Sequence, residues 1–185
     1  MNSKQDAWYI HAALYAIIAI LIYVLIKVAV LDPNEIVAQE KYNKQESRLR
    51  MKNLKEAEIL WYNKHGKFTA NLDSLIEFIK NDPYVDSVRN AFDSLSRRPA
   101  DPFVKLSSGE FIPDSLYRTP KSQQRYILQI DSSVNVDTVV NRSGKVIRVD
   151  STAVTGTLYY LEDPDGYGTV GSTDNPALKN TSSWE

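Results

Sequence analysis

Carboxylates and glycines are concentrated near the C-terminus, in the run Asp163-Pro164-Asp165-Gly166-Tyr167-Gly168. Asp163 and Asp165 could serve as the paired carboxylates that a hydrolase uses as acid and base. Carboxylate and carbonyl oxygens on a Gly-rich loop are also the ligands that a hard cation such as calcium prefers. The run does not match an EF-hand, because no acid occupies the closing position. These residues alone favour a turn-rich C-terminus over a metal loop and leave both open.

The composition excludes most other chemistry. The chain has no Cys and two His, which excludes disulfides, thiolate metal sites and Cys nucleophiles and leaves little for imidazole metal clusters. No Gly-x-Ser-x-Gly, His-Glu-x-x-His or Gly-rich phosphate loop occurs. The formal net charge of −1 argues against binding to nucleic acid. A membrane-tethered hydrolase is therefore the least favoured function, and we expect no small-molecule substrate.

A long apolar segment runs from Trp8 to Leu31 and is interrupted only by His11 and Lys27. As a helix it would extend about 36 Å, which is enough to cross a hydrocarbon core of about 30 Å. A cleaved signal peptide fits less well. Its apolar part would be about 7–15 residues long and would be followed by a small-residue cleavage site, whereas the segment here is longer and no such site follows it. The sequence therefore predicts a transmembrane helix over 8–31, preceded by a flank over 1–7.

The charges beside this segment do not decide its orientation. Lys4 precedes it, whereas Lys41, Lys44, Arg48 and Arg50 follow it. Taken alone, the positive-inside rule weakly places the following domain in the cytoplasm. Long domains, however, are translocated largely regardless of charge. Sidedness stays open at this point.

A second helix, or a kinked continuation of the first, is predicted over 32–66. Asp32 is a suitable N-cap, and Pro33 suits the first helical position. Gly66 suits a left-handed residue just beyond the last turn, where His65 is expected to interact with the negative end of the helix dipole. These signals predict a helix of more than 30 residues.

The two halves of this helix differ in polarity. From 39 to 48 the one large apolar residue is Tyr42, which predicts an exposed surface, either solvated or covered by a partner. The second half has an apolar stripe formed by Met51, Leu54, Ala57 and Trp61. Because these residues recur every three or four positions, they are predicted to pack against other elements of the domain.

Weaker patterns follow along the chain. Asn71 is an N-cap for a short helix that ends near Pro83, and a further weak helix is predicted from Val85 to Leu95. Runs of β-branched and aromatic residues after Pro102 then predict an antiparallel meander of three or four strands. One face of such a sheet needs cover, and the apolar stripe of the long helix is the candidate to supply it.

Two segments resemble a known family. The long helix ends Ala57-Glu58-Ile59-Leu60-Trp61-Tyr62-Asn63-Lys64-His65-Gly66-Lys67-Phe68, which resembles the end of the first helix in type IV pilins and in the major pseudopilins of type II secretion. The C-terminal region is similar to the major pseudopilin tail, where an Asp-Gly opens a calcium loop, a second Asp closes it and a Trp follows. That resemblance implies Asp165 and Asp174 as calcium ligands. Trp184, by its position next to the terminus, is expected to pack down and pin the tail.

The resemblance does not extend to the N-terminus. The residues from Lys4 to Ala12 contain neither the Gly-Phe-Thr-Leu type of cleavage site nor the Glu that these families carry just after it. The segment from Pro113 to Arg118 is similar to one found in single-pass membrane proteins of Bacteroidota type. The chain is thus identified with a pilin-like group that lacks the usual processing motif.

The fold implied is α+β and pilin-like, with a transmembrane helix that continues into a long amphipathic helix packed on a small antiparallel sheet. The globular domain is expected over 67–185. The function implied is that of a non-enzymatic structural subunit of a secretion, pilus or motility-type envelope assembly. Its anchor is expected in the inner membrane, its domain in the periplasm, and its partners among other membrane or envelope proteins. The alternative is an integral scaffold or accessory subunit of another large membrane complex.

Overall fold

The computed structural model describes residues 8–93, 98–99, 101–141 and 144–185. The chain divides into two units, Met1–Asn43 and Lys44–Glu185. The first unit contains a long apolar helix, and the second contains a small antiparallel sheet with its own hydrophobic core. This order of elements agrees with the expected α+β class.

The N-terminal helix passes into the next helix without a break. α1 spans Trp8–Ile26, a π-helical turn covers Lys27–Leu31, and α2 spans Asp32–His65. Asp32 itself has helical dihedral angles, and its N–H donates to the Lys27 carbonyl across the π turn. The expectation that Asp32 caps the start of a separate helix is therefore wrong, and the alternative that the first helix continues is confirmed. Pro33 has no N–H and crowds the preceding turn, which gives a physical reason for the widened turn just before it.

Burial on α2 begins earlier than the apolar stripe predicts. Glu46 and Ser47, in the half that was expected to be exposed, are 3% and 0% exposed. The predicted stripe is confirmed, because Met51, Leu54 and Ala57 are fully buried. α2 ends as expected at Gly66, which has a φ of +72° and donates its N–H to the Tyr62 carbonyl.

Two short helices follow. α3 spans Leu72–Asn81, and the Asn71 side chain caps it by accepting from the Asp73 and Ser74 N–H groups, as predicted. α4 spans Pro83–Arg89 and is shorter than the predicted helix. Residues Phe92–Asp93 form β1 instead and pair with β2, Arg98–Pro99, while Leu95 lies outside the described residues.

The sheet contains two long strands and one short strand. β3 spans Ile127–Val140, β4 spans Val146–Glu162 and β5 spans Thr169–Gly171, in the antiparallel order β3-β4-β5. The apolar runs that were expected to form up to four strands lie within the two long ones. β5 pairs with Tyr160–Glu162 and was missed, because its Gly-rich surroundings predict turns.

The core joins α2 and α3 to the sheet. The buried cluster contains Met51, Leu54 and Ala57 from α2 together with Tyr159 and Leu161 from β4. The expectation that the α2 stripe covers the sheet is therefore confirmed. Aromatic contacts extend this core, because the Phe68 and Tyr159 ring centroids lie 4.7 Å apart and those of Trp61 and Phe78 lie 5.2 Å apart.

Gly156 gives the first testable prediction. Its φ is +75°, and a Cβ there would lie 2.9 Å from the Phe68 carbonyl oxygen, which is backbone and cannot move aside cheaply. We expect Gly156→Ala to lower the free energy of unfolding by about 2–4 kcal/mol, the sum of left-handed strain and overpacking. Urea unfolding followed by Trp fluorescence measures this change.

The matched control is Gly144→Ala. Gly144 has a similar φ of +79° but no atom within 4 Å of the added Cβ, so only the backbone strain of about 1 kcal/mol applies. Equal losses in the two variants would contradict the steric argument for Gly156.

Candidate functional site

α1 has the composition of a helix that inserts into lipid. Its 19 residues contain no acidic residue in the first turn and no basic residue in the last, and none of them is buried within the protein. Large apolar side chains such as Ile20, Leu21 and Leu25 are more than half exposed. It is the one helix among the described residues that is long and apolar enough to span a membrane. At 1.5 Å per residue α1 alone is about 28 Å long.

Whereas α1 exposes apolar side chains, α2 buries polar side chains in the interior of the domain. Among the buried polar residues of the second unit, four belong to α2: Glu46, Ser47, Asn53 and Glu58. Each of them forms a hydrogen bond with a residue outside the helix. Because buried polar groups are costly unless paired, these contacts fix where the surrounding loops can lie.

Ser47 connects α2 to the start of β3 and to the loop after β4. Its hydroxyl shares a 2.9 Å hydrogen bond with the Tyr126 hydroxyl and donates to the Asp163 carboxylate. Asp163 Oδ1 in turn accepts from the Asp165 N–H at 2.7 Å. Burial raises the pKa of Asp163 against the lowering effect of these hydrogen bonds. The Asp163 carboxylate thus closes a turn and anchors it to α2.

Glu46 and Asn53 hold the segment that precedes a 3₁₀ helix at Pro113–Tyr117. Glu46 Oε2 accepts from the Ser107 N–H at 3.0 Å, while Oε1 pairs with Arg50 at 3.0 Å. Burial would raise the pKa of Glu46, but the hydrogen bonds from Ser107 and Arg50 outweigh it and lower the pKa. Asn53 both donates to the Val104 carbonyl, at 2.8 Å, and accepts from the Val104 N–H, at 2.7 Å. The Asn53 side-chain amide therefore makes with the Val104 backbone the two hydrogen bonds that a neighbouring strand would make.

Glu58 is the least satisfied of these groups. It is fully buried, Oε2 accepts from the Thr69 N–H at 3.2 Å, and Oε1 has no hydrogen-bond partner. The Tyr159 hydroxyl is also buried without a partner, and burial first, then the charge of Glu58, raise the pKa of this tyrosine. Burial raises the pKa of Glu58 itself to about 8. The neutral carboxylic acid is consequently the form that the folded domain favours.

The C-terminal segment folds back onto the domain. The Ser183 N–H donates to the Thr169 carbonyl at 2.9 Å, and Val170 forms an antiparallel bridge with Ser182. The Trp184 ring lies against Gly168, where an added Cβ would come within 2.4 Å of it. The Arg48 guanidinium lies 5.3 Å from the centroid of the Trp184 ring. The expectation that Trp184 packs down is confirmed.

The two predicted calcium ligands have different neighbours. Asp165 Oδ2 accepts from the Ser122 N–H at 3.2 Å, and hydrogen bonds lower its pKa although burial opposes them. Asp174 is exposed and lines a depression of about 640 Å³ together with Asp131 and Thr157. Within the described part of the chain, no group of three or more His, Asp or Glu could hold a metal ion. Calcium binding stays a prediction.

His65 lies in the last turn of α2, as its dipole interpretation requires. Its Nδ1 is 3.1 Å from the Trp61 carbonyl oxygen, and its ring stacks on Trp61 with centroids 4.2 Å apart. This contact brings the ring against a carbonyl in the last turn of α2, at the negative end of the helix dipole.

The buried polar row on α2, formed by Glu46, Ser47, Asn53 and Glu58, was not predicted. Ser47 and Glu58 lie four residues before Met51 and four residues after Leu54, so they continue the apolar stripe with polar side chains. That spacing is the signal that could have revealed them. Their partners could not have been found in this way, because Asp163 is 116 residues from Ser47 in the chain.

Comparison with known proteins does not assign this chain to a family. No family model, no curated protein and no solved structure matches it. The resemblance to pilins therefore rests on the sequence segments quoted above, and the function has to be argued from α1 and from the surfaces of the domain.

The pKa of Glu58 predicts a pH dependence of stability. Because the pKa is raised in the folded state, folding binds a proton between about pH 4.5 and 8, and stability falls as the pH rises through this window. Glu58→Gln removes the titration while keeping an acceptor for Thr69. We expect the variant to match the natural protein near pH 5 and to exceed it at pH 8.5 by a few kcal/mol, at most about 5.

Urea unfolding of the full chain in detergent, at both pH values, measures this difference. The exposed Glu110 supplies the control, since Glu110→Gln should change stability equally at the two pH values. A Glu58→Gln effect that is the same at pH 5 and pH 8.5 would contradict a buried, neutral Glu58.

The predicted calcium site has its own test. If Asp165 and Asp174 bind calcium, the melting temperature should be several degrees higher in millimolar calcium than in EDTA, because the ion binds only the folded chain. Asp165→Asn and Asp174→Asn should each remove this difference, whereas Asp86→Asn, on the exposed face of α4, should keep it. Equal melting temperatures with calcium and with EDTA would reject the site.

Proposed function

We propose that this protein is a membrane-anchored structural subunit of a cell-envelope assembly of the secretion, pilus or motility type. In this proposal α1 spans the inner membrane, the domain Lys44–Glu185 lies in the periplasm, and the protein performs no catalysis of its own. Its partners are other copies of the chain or other envelope proteins.

The apolar surface of α1 carries the proposal. A helix with nearly every large side chain exposed would be insoluble in water unless lipid or other helices covered it. Lys27, at the start of the π turn, suits the membrane interface, where its long side chain can reach the headgroups. Trp8, 80% exposed at the other end of α1, suits the opposite interface.

The layout of the domain supports a structural role. A long helix packs its stripe onto a small antiparallel sheet, which is the arrangement that the resemblance to pilins implies. The buried carboxylates Glu46 and Asp163 are engaged by hydrogen bonds that hold loops. These contacts suit a rigid scaffold that presents its surface to partners.

The N-terminal sequence favours a second candidate function. Because Lys4 to Ala12 lacks a prepilin-type cleavage site, the chain could keep its N-terminus and act as an accessory subunit of another large membrane complex. The small residues Ala12, Ala16 and Ala19 on α1 would then let a partner helix approach closely.

Extraction from native membranes separates the two functions. The full chain is solubilised in a mild detergent, and the mass of the intact protein, the composition of the complex and its appearance by electron microscopy are measured. We expect assemblies that consist mainly of this chain. A complex of fixed composition dominated by other proteins would instead support the accessory function, and recovery in the soluble fraction would contradict both.

Labelling of intact spheroplasts tests on which side of the membrane the domain lies. Since the chain has no Cys, Ser108→Cys, at an exposed position of the domain, is a unique label site. We expect a membrane-impermeant maleimide to label it from the periplasmic side of spheroplasts. Labelling only after lysis would place the domain in the cytoplasm.

A further inference from the structure

The two edges of the sheet are covered differently. At the β5 edge the C-terminal segment lies alongside the strand, where Ser182 forms an antiparallel bridge with Val170. β3 is the strand at the other edge, because the order of the strands is β3-β4-β5. Within the described part of the chain, no strand pairs with the outer side of β3. The backbone of β3 is therefore the one to examine for free hydrogen-bonding groups.

A backbone hydrogen bond beside β5 shows which residues of β4 point toward β3. The Asp163 N–H, one residue beyond the end of β4, donates to the Gly168 carbonyl on the β5 side. Backbone groups of successive residues in an antiparallel strand point alternately to its two sides. Those of Tyr160 and Glu162 consequently point toward β3.

The same alternation leaves two residues of β3 with backbone groups on the outer side. Ile127 and Gln129 pair with those two residues of β4, so their N–H and C=O groups bond to β4. The N–H and C=O groups of Leu128 and Ile130 therefore point outward. Among the described residues, no backbone hydrogen bond joins either of them to an element outside the sheet.

This stretch of edge also lacks the features that usually keep a sheet edge unpaired. Natural edges are protected by Lys, by Pro or by a bulge that twists the strand away. The run Ile127-Leu128-Gln129-Ile130 contains no charged residue and no Pro, and the register shift in β3 begins only after it. Ile127 is 39% exposed. Such an edge is a template for a further strand.

A groove runs along the same edge. It has a volume of about 600 Å³ and is lined on one side by residues 125–129 and on the other by residues 69–73. The two charged residues of this lining, Arg125 and Asp73, pair with each other across the groove. The groove thus has no net charge, and the segment that complements it is uncharged.

We propose that this groove binds an uncharged, extended segment of a partner protein, which adds to the sheet as a fourth strand beside β3. Leu128 and Ile130 present their N–H and C=O groups about 7 Å apart, the spacing at which an extended backbone presents its own. A helix bonds its backbone groups internally and cannot supply them. The wall at 69–73 bounds the groove on the side away from β3, which suits a single strand rather than the edge of a second sheet. This mode of attachment adds to the proposed function and does not depend on it.

Amide hydrogen exchange of the full chain in detergent micelles, read residue by residue by NMR, tests the pairing. The probe is the acetylated and amidated peptide Ser-Thr-Val-Thr-Val-Thr-Ser. Without it, the Leu128 and Ile130 amides should exchange quickly, whereas those of Ile127 and Gln129, bonded to β4, should exchange slowly. With the probe at about 1 mM, exchange at Leu128 and Ile130 should slow about tenfold, the factor 1 + [L]/Kd for a Kd of about 100 µM.

The control peptide is Ser-Thr-Val-Pro-Pro-Thr-Ser, whose adjacent prolines remove donors from both sides of the strand. We expect it to leave the exchange unchanged, and equal slowing by the two peptides would overturn strand pairing. Slow exchange at Leu128 and Ile130 without a peptide would also overturn the proposal. If that slowing increases with protein concentration, a second copy occupies the edge instead. No response to the probe would reject this contact and leave the proposed function, which extraction from membranes tests separately.

A substitution in the opposite wall gives an independent readout. Ala70 is exposed and lines the groove, so Ala70→Trp should fill it and reduce the slowing by the probe to less than twofold. Ser108→Trp adds the same side chain at an exposed position outside the groove lining and should keep the tenfold slowing. Unchanged binding of the probe to Ala70→Trp would overturn the groove as its site.

Discussion

Buried polar side chains on a single helix hold the loops of this domain in place. Backbone N–H groups at Thr69, Val104 and Ser107 have no strand neighbour, and side chains of α2 accept from all three. These hydrogen bonds are partly buried, and a bond of this kind contributes about 0.5–1.5 kcal/mol, so together they favour one position of the loops against the helix. The small sheet contributes three strands, whereas α2 touches segments that are as far apart in sequence as 69 and 163. The position of the loops therefore depends on α2.

The apolar core and this polar row share one face of α2. Met51 and Leu54 lie between Ser47 and Glu58 on the same stripe, so tight packing by the aliphatic residues determines where the polar groups can reach. The cost of this arrangement is visible at Glu58, whose second oxygen and the nearby Tyr159 hydroxyl remain unpaired. A raised pKa is the consequence, because the buried carboxyl is more stable as a neutral acid.

The elements with local signals could be predicted from the sequence. Asn71 caps α3 and Gly66 ends α2 because capping depends on residues within a few positions of each other. The continuity of α1 with α2 was harder to predict, since Asp32 and Pro33 are equally compatible with the capped start of a new helix and with a widened turn inside a continuous one. β5 was missed because its Gly-rich surroundings predict turns, although it pairs with residues only about ten positions earlier. The Ser47–Asp163 contact could not be found, because its two residues are 116 positions apart in the chain. Asp165, chosen by resemblance, accepts from the Ser122 N–H, and no local pattern specifies a partner 43 residues away.

The placement of the hydrogen bonds on α2 also has a mechanical consequence. Any force applied to the chain before residue 44 enters the domain through this helix. Glu46, Ser47, Asn53 and Glu58 succeed one another along the helix axis over about 18 Å, and together they hold the segments near residues 69, 104–107 and 163. A pull along the helix loads these bonds side by side, in shear, so that they share the tension. A domain held in this way resists being peeled apart by a pull on the chain that precedes it.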